Sequence, residues 1–462
     1  MAKADIVSYH DKENYPSHTG AVAAVIVVIG GFIAYGTYSL IQLWNQYGQD
    51  ILDAIQTSGL PDFLTANIYT IGGIFGALIV LSLLLAVGAS ALANRLGGTL
   101  IYLGAVFMNV ITWLAPVALL VASGFNFGIL ASSWPVMLPG LFTLFMTILL
   151  FTVYRDRVRR AGEIIKLTGR VCLDEKGVFI PPLVTMFFTL ISALMFGAII
   201  FQFTPMDVLI GNAEWTLETA APVGIGVVLY LFTTIFFYNF AYGTSSAMVY
   251  IYMRGRDPAL GDGVKSTLGV IGGIAALSVA SVVVVIVRFA LQRLGREVGG
   301  AGGAAVGRAA GGVIGWIWAM INYFTIPAMV AEQTGAKDGI KRSAGLVRRN
   351  FVDVIIKETA VRWGFGVLSA VFFIAFAVGG AAIGWFYSGD LITTLIFAVV
   401  FIVFAAIPSS LVLRTFDIVY VTLLYVFIRR QEGEVTGKTA IPSAMERELK
   451  SAYNTAQRRG NE

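Results

Sequence analysis

The stretch LGVIGGIAALSVASVVVVIVRFALQRLGREVGGAGGAAVGRAAGGVIG, Leu268 to Gly315, opens with 20 residues that carry no charge and closes on a glycine at every fourth position. At ~1.5 Å per helical residue, an uncharged run of that length covers the ~30 Å hydrocarbon core of a bilayer. In the second half, Gly299, Gly303, Gly307, Gly311 and Gly315 keep one register. Positions i and i+4 share a helix face, and a bare face of this kind lets a neighbouring backbone approach closely. Each glycine inside a helix costs about 1 kcal/mol against alanine, so these five glycines are expected to be helix-packing residues whose contacts offset that cost. A mobile outer loop is the alternative. Arg308, between two rungs, is expected to point away from the packed face.

Outward from this stretch the pattern repeats. Of the 462 residues, 57% are hydrophobic and only 13% charged, the reverse of a soluble domain. Apolar runs separated by charged breaks predict ten spans, near 21–44, 67–94, 99–123, 134–154, 179–203, 222–253, 264–288, 310–331, 354–386 and 391–428. The fold class expected is therefore all-α: a polytopic membrane protein of about ten transmembrane helices, with basic amphipathic helices in the plane of the membrane. The organisation expected is a tail 1–20, a four-span region 21–178 with a basic helix, a six-span domain 179–430 and a polar tail 431–462. Met1 to Gly20 is polar and lacks the apolar core of a removable signal, so the first span is expected to stay.

Charge sets the orientation. With both termini cytoplasmic, 28 of the 32 Lys and Arg residues fall inside and 4 outside, as the positive-inside rule requires in a cell membrane. The four exceptions, Arg288, Arg293, Arg296 and Arg308, all flank the glycine stretch. The other outer loops have no Lys or Arg and hold Asp50, Asp53, Asp62, Asp207, Glu214, Glu218 and Asp390. Two runs, 222–253 and 391–428, exceed what a bilayer needs; Pro408 divides the second, which is expected to be broken or extended.

Two inner segments are basic and helical in pattern. Arg155, Arg157, Arg159, Arg160, Lys166 and Arg170 follow the fourth span; Lys337, Lys341, Arg342, Arg348 and Arg349 follow the eighth. In the latter, Ile340, Ala344, Val347 and Phe351 form an apolar stripe opposite the charges. Arg157, Arg159, Arg160, Lys341, Arg342, Arg348 and Arg349 are read as topology determinants touching lipid headgroups. Docking of a cytoplasmic partner is the alternative, and no nucleic acid is needed to explain the charge.

Several chemistries are excluded by composition. One cysteine, Cys172, rules out an intrachain disulfide framework and a Cys-clustered metal site. His10 and His18, the only histidines, lie in the first tail, which leaves no histidine for a metal site or a catalytic triad in the spans. Gly300 to Ala305 fits a dinucleotide fingerprint without the strand that should precede it. Gly433 to Thr439 is one residue short of a phosphate loop. The serines of Gly243 to Ala247 have no base nearby in sequence. No catalytic residue, no metal and no cofactor is expected, and the chain is not read as an enzyme.

Polar residues inside spans remain, and there they are expensive. Asn109 lies in the third span. Tyr238, Asn239, Tyr242, Thr244 and Ser245 lie in the sixth; Asn322, Tyr323 and Thr325 lie in the eighth, with Glu332 at its inner end. Arg414 and Asp417 stand at i and i+3 in the tenth, near enough to pair. Tyr238, Asn239, Tyr242, Asn322, Glu332, Arg414 and Asp417 are the candidate substrate-binding residues if spans six, eight and ten share a polar path, where aromatics would face a cation. Structural bonding between helices accounts for the same residues.

The run YFTIPAMVAEQTGAKDGIKRSAGLVRRNF, 323–351, resembles a prokaryotic six-span membrane domain of unknown function (DUF6159-like), with Lys341, Arg342, Ser343 and Leu346 in its K-R-S-x-x-L arrangement and Arg349 following. FFYNFAYGTSSAMVYIYMRGRDPALGDGVKS, 236–266, is similar to that domain's second helix and turn. The resemblance extends over about 180–430 and implies architecture without chemistry. In span count the chain more distantly resembles the choline-transporter-like proteins, without their cysteine-rich outer loop. The function expected is transport of a small polar or cationic solute, by alternating access around a mid-membrane site. A membrane scaffold or accessory subunit is the rival, with lipids and either a membrane-protein partner or a second copy as partners. Gly72/Gly76, Gly269/Gly273 and Gly380/Gly384 offer it small-residue faces.

Overall fold

The computed structural model describes residues 19–57, 68–209 and 212–431. His10, His18, Asp62 and the stretch from Gly433 to Thr439 lie outside these residues. Helix makes up 91% of the structure, and no strand occurs among the described residues, so the all-α architecture stands. Ten helical segments among them are long and apolar enough to cross a membrane.

Fourteen principal helices carry the described chain: α1 (Thr19–Thr57), α2 (Ile68–Leu96), α3 (Gly98–Ala122), α4 (Leu138–Thr152), α5 (Arg155–Asp174), α6 (Ile180–Phe203), α7 (Leu217–Met253), α8 (Leu260–Leu268), α9 (Ile271–Ile321), α10 (Thr325–Glu332), α11 (Ala336–Arg349), α12 (Phe351–Ile356), α13 (Arg362–Ser388) and α14 (Leu391–Gln431). A π-helical turn, Lys357–Val361, joins α12 to α13. In each unit described below, the side on which its long helix ends, α7 in the first and α14 in the second, is termed the tail side, and the opposite one the far side. Several helices outrun the bilayer: α1, α7 and α14 would each reach ~55–60 Å when straight.

The chain divides into two interleaved compact units. The first falls within Met1–Ala77, Ile180–Tyr250 and Pro258–Val347. The second falls within Leu78–Phe179, Ile251–Asp257 and Arg348–Glu462.

In the first unit α1 packs along α6. A Cβ on Gly36 would press on the Met195 side chain at 2.5 Å, and Tyr35 meets Phe203 with ring centroids 5.4 Å apart. The seventh and eighth spans form one helical hairpin, α9, longer than the sequence breaks imply. Its arms reverse at Gly299 and Gly300, and Gly300 takes a positive φ of 54° that only glycine adopts without strain. Below the apex the arms lie backbone to backbone. A Cβ on Gly307 would sit 2.6 Å from the Leu291 carbonyl oxygen, one on Gly311 3.3 Å from that of Arg288, and one on Gly315 2.7 Å from Cζ of Arg288. Gly303 faces Gly295. Gly299 is no rung of this ladder: it is the turn, with open space where its side chain would be. Arg308 is exposed, its Nε donating to the Ala304 carbonyl at 3.3 Å.

In the second unit α13 and α14 pack along their lengths, and α3 crosses α13. Glycines permit both approaches. A Cβ on Gly104 would stand 2.5 Å from the Gly364 amide, and those on Gly380 and Gly384 would meet Phe397 O at 2.7 Å and Thr394 Cα at 2.8 Å. The Gly380/Gly384 face is thus used inside the chain. Pro408 leaves α14 helical from end to end, the extended of the two alternatives. Asp390 starts that helix, its Oδ1 accepting the Thr393 amide at 2.8 Å, an N-cap contact.

The two basic helices are docked on protein. α5 buries Ile165, Thr168, Val171 and Cys172, and Gly162 lies against Gly98, where a Cβ would reach Cα at 2.6 Å. Burial pushes the Cys172 thiol up, so it stays protonated. In α11 the buried residues are Gly339, Ser343, Leu346 and Val347. The expected stripe of Ile340, Ala344, Val347 and Phe351 is therefore corrected by a rotation of the buried face. Small Gly339 and Ser343 allow close contact with α10, and Phe351 is 40% exposed at the start of the next helix.

Candidate functional site

Among the described residues, the polar side chains of the spans bond at several places, and a larger cluster stands in each unit. In the second unit Asn109 Nδ2 of α3 donates to Thr147 Oγ1 of α4 at 2.8 Å, Thr112 Oγ1 lies 2.8 Å from Thr143 Oγ1, and the Ser369 and Ser409 hydroxyls join α13 to α14. In the first unit Asn239 of α7, 6% exposed, donates from Nδ2 to Ser278 Oγ of α9 at 3.0 Å. The Ser278 hydroxyl in turn donates to the Ile274 carbonyl at 2.8 Å. One turn along, Thr244 Oγ1 reaches Thr267 Oγ1 at 3.4 Å. Trp318 Nε1 donates to Ser281 Oγ at 3.3 Å, joining the two arms of the hairpin. Tyr238 is half-exposed and Tyr242 buried, their rings 6.2 Å apart edge to face.

Asn322 closes the hairpin's second arm. Its Nδ2 donates to the Trp318 carbonyl at 2.9 Å and its Oδ1 accepts from Thr325 Oγ1 at 3.1 Å, so it works as a helix-to-helix turn. The motif that follows is a clamp. Ser343 Oγ accepts the buried Phe324 amide at 2.8 Å, and Arg342 Nε pairs with Glu332 Oε1 at 3.1 Å, the Glu332 side chain being 8% exposed. Leu346 is fully buried one turn on. Arg342, Ser343 and Leu346 of the K-R-S-x-x-L arrangement thus hold α11 onto α10, while Lys341, Arg348 and Arg349 face outward. Gln333, left-handed at φ 49°, fixes the intervening turn by donating to the Ser266 carbonyl and to Ser266 Oγ, each at 3.2 Å.

The second unit holds an ionic cluster. Lys357, 2% exposed, occupies the first position of the π-helical turn. Its Nζ donates to Glu358 Oε1 at 2.8 Å and to Asp417 Oδ1 of α14. Arg362 Nη1 holds the other Glu358 oxygen at 3.0 Å, giving a chain of alternating charge from Asp417 to Arg362. A lone ammonium could not be buried this far, and two carboxylates compensate its lost hydration. Asp417, read in the sequence beside Arg414, is therefore the partner of a lysine on another helix. Nearby, Arg157 of α5 pairs with Asp353 at 3.1 Å, and Arg159 is exposed and Arg160 half-buried on the same helix.

Counting along helices places both clusters. Asp417 lies ~39 Å from the far-side end of α14, and Lys357 ~47 Å from that of α13, more than the ~30 Å of hydrocarbon. Asn239 lies ~33 Å from the far-side end of α7. Within the second unit Lys357 and Asp417 thus lie towards the tail side, whereas Asn109, ~20 Å from the far-side end of α3, lies within the span. Tyr238, Asn239, Tyr242, Asn322 and Glu332 belong to the first unit, Arg414 and Asp417 to the second.

Lys357 and Glu358 were legible and unread: two charges inside an apolar run are expensive and mark a site. The π turn leaves no sequence signal that periodicity would detect.

On the tail side, Tyr252 Oη donates to Asp174 Oδ2 at 2.6 Å, and Glu175 stands next to Asp174. Burial, then the charges of Asp257 and Asp174, push the Glu175 carboxyl up to about 7. No group of three or more potential metal ligands occurs among the described residues.

No curated protein matches the chain. Residues 223–437 do match the model of a family of unknown function (DUF6159); the matched part starts within α7 and takes in the clamp and the ionic cluster.

Proposed function

We propose that the protein is a membrane scaffold or accessory subunit, one that packs laterally against other membrane-embedded chains. The observation supporting this is the way the polar groups of its long helices are used. Asn239 is bonded to Ser278, Trp318 to Ser281, and Lys357, where α13 and α14 emerge, to Glu358 and Asp417. Groups spent on each other hold helices in register. Meanwhile large apolar side chains face outward, Val27 at 73% and Leu84 at 65% exposure, available to lipid or to a partner. The glycine ladder of α9 serves the same purpose on this reading, as a packing device that makes the hairpin stiff.

A photo-crosslinking residue at Val27 or Leu84, activated in intact membranes, tests the proposal. Protein adducts of defined mass are expected. Adducts to lipid alone at both positions would count against it.

A second reading, transport of a small cationic solute, draws on Lys357. A buried charge in a π-helical turn of a membrane helix is a frequent mark of function. On that reading reconstituted vesicles take up a quaternary ammonium such as choline, and Lys357→Met abolishes the uptake.

A further inference from the structure

The four basic residues placed against the positive-inside rule belong to one hairpin, whose apex reaches the level of an acidic rim in the same unit. In the first unit the Asn239–Ser278 hydrogen bond fixes α7 and α9 at a common level. From it, Arg296 stands ~27 Å and the apex Gly300 ~33 Å towards the far side, and Glu218 at the start of α7 stands ~32 Å in the same direction. Arg296 and Arg308 are exposed on the hairpin, and Glu214 and Glu218 are exposed on the rim. Each charged patch also carries bare apolar side chains: Val298 at 87% and Val306 at 70% on the hairpin, Leu217 at 83% and Trp215 at 52% on the rim.

We infer that the hairpin of one copy docks on the acidic rim of a second copy in the same bilayer. A membrane holds two copies at one height and one tilt, so patches of opposite charge at equal height meet when the chains associate side by side. A two-fold axis along the membrane normal makes the contact twice, hairpin to rim and rim to hairpin, the closed symmetry usual for dimers. Opposite charges steer the encounter, and the apolar side chains supply contact area. An anionic headgroup layer fits less well as occupant, since the rim at the same level would repel it. This inference rests on the scaffold reading and names its partner as a second copy of the chain.

Charge exchange tests it. One variant carries R296E and R308E, which leaves the Arg293–Glu297 pair at 2.8 Å untouched; the other carries E214R and E218R. Each is made full-length with its own affinity tag, checked for an unchanged melting temperature, and measured in lipid nanodiscs by mass photometry. The expected result is a dimer for the native chain, monomers for each variant alone, and a mixed dimer when the two are combined, because the mixture restores both contacts. Weakening of the native dimer between low and high salt is also expected. A native chain that stays monomeric, variants that still dimerise alone, or a mixture that stays monomeric overturns the inference. So does loss of bound anionic lipid in the R296E/R308E variant at unchanged oligomeric state. If the native chain is monomeric yet another protein copurifies with it in fixed ratio, the scaffold reading stands and this inference falls. A monomer with no protein partner sinks both.

Discussion

Lys357, buried in a π-helical turn between α12 and α13, donates to Asp417 of α14 and ties the last two spans together where they emerge on the tail side. Glu358 takes a second proton of the same ammonium at 2.8 Å. Removing the lysine leaves two carboxylates side by side, and removing one partner of a buried pair costs about 3–5 kcal/mol. Lys357→Ala is expected to lower the unfolding temperature in detergent accordingly, and Lys357→Met with Asp417→Leu to recover most of the loss. Equal destabilisation in the single and double variants would show that the pair does not act as a unit.

The hairpin offers a matched comparison. A Cβ on Gly307 would lie 2.6 Å from a backbone oxygen, whereas one on Gly312 meets nothing within 4 Å. Gly307→Ala should therefore destabilise the hairpin. Gly312→Ala should leave it unchanged or gain up to about 1 kcal/mol from helix propensity. Thermal unfolding of the two variants, measured together, reads the difference in sign.

Ser343 satisfies a buried amide at Phe324. Ser343→Ala removes the side-chain acceptor of that amide, at about 1–3 kcal/mol, and should loosen α11 from α10. Hydrogen exchange is the measure: the amide of Phe324 and those of α10 should exchange faster in the variant, with α13 unaffected.

Glu175 gives the chain a pH dependence of known sign. Its folded-state carboxyl is raised to about 7 from an ordinary 4.5, so the folded chain keeps a proton that the unfolded chain releases. The stability this group contributes is fully present below about pH 4.5 and is lost as pH rises through 7. The melting temperature of the native chain relative to Glu175→Gln should fall across that window and level off above it. A flat difference would place the carboxyl at its ordinary value.

How much of this was legible in the sequence differs by element. The ten spans follow from apolar length alone, and the glycines at 303–315, on the hairpin's second arm, lie against its own first arm, which the period by itself does not specify. The same period includes Gly299, because counting cannot distinguish a rung from the turn that ends the ladder. Ser343 and Arg342 are visible as a motif, but their roles depend on Phe324 and Glu332, whose proximity comes from the reversal at Gln333. Asp417 was legible as a costly charge, while its partner Lys357 lies on a different helix that only the packing of α13 on α14 brings near. Register between helices is a tertiary property, and one-dimensional periodicity does not carry it.

If the chain packs against other chains, as proposed, native mass spectrometry of the protein extracted in its own lipids shows a mass of at least two chains, either two copies or one copy with a protein partner in fixed ratio. A single chain carrying one small solute in stoichiometric amount would contradict that proposal.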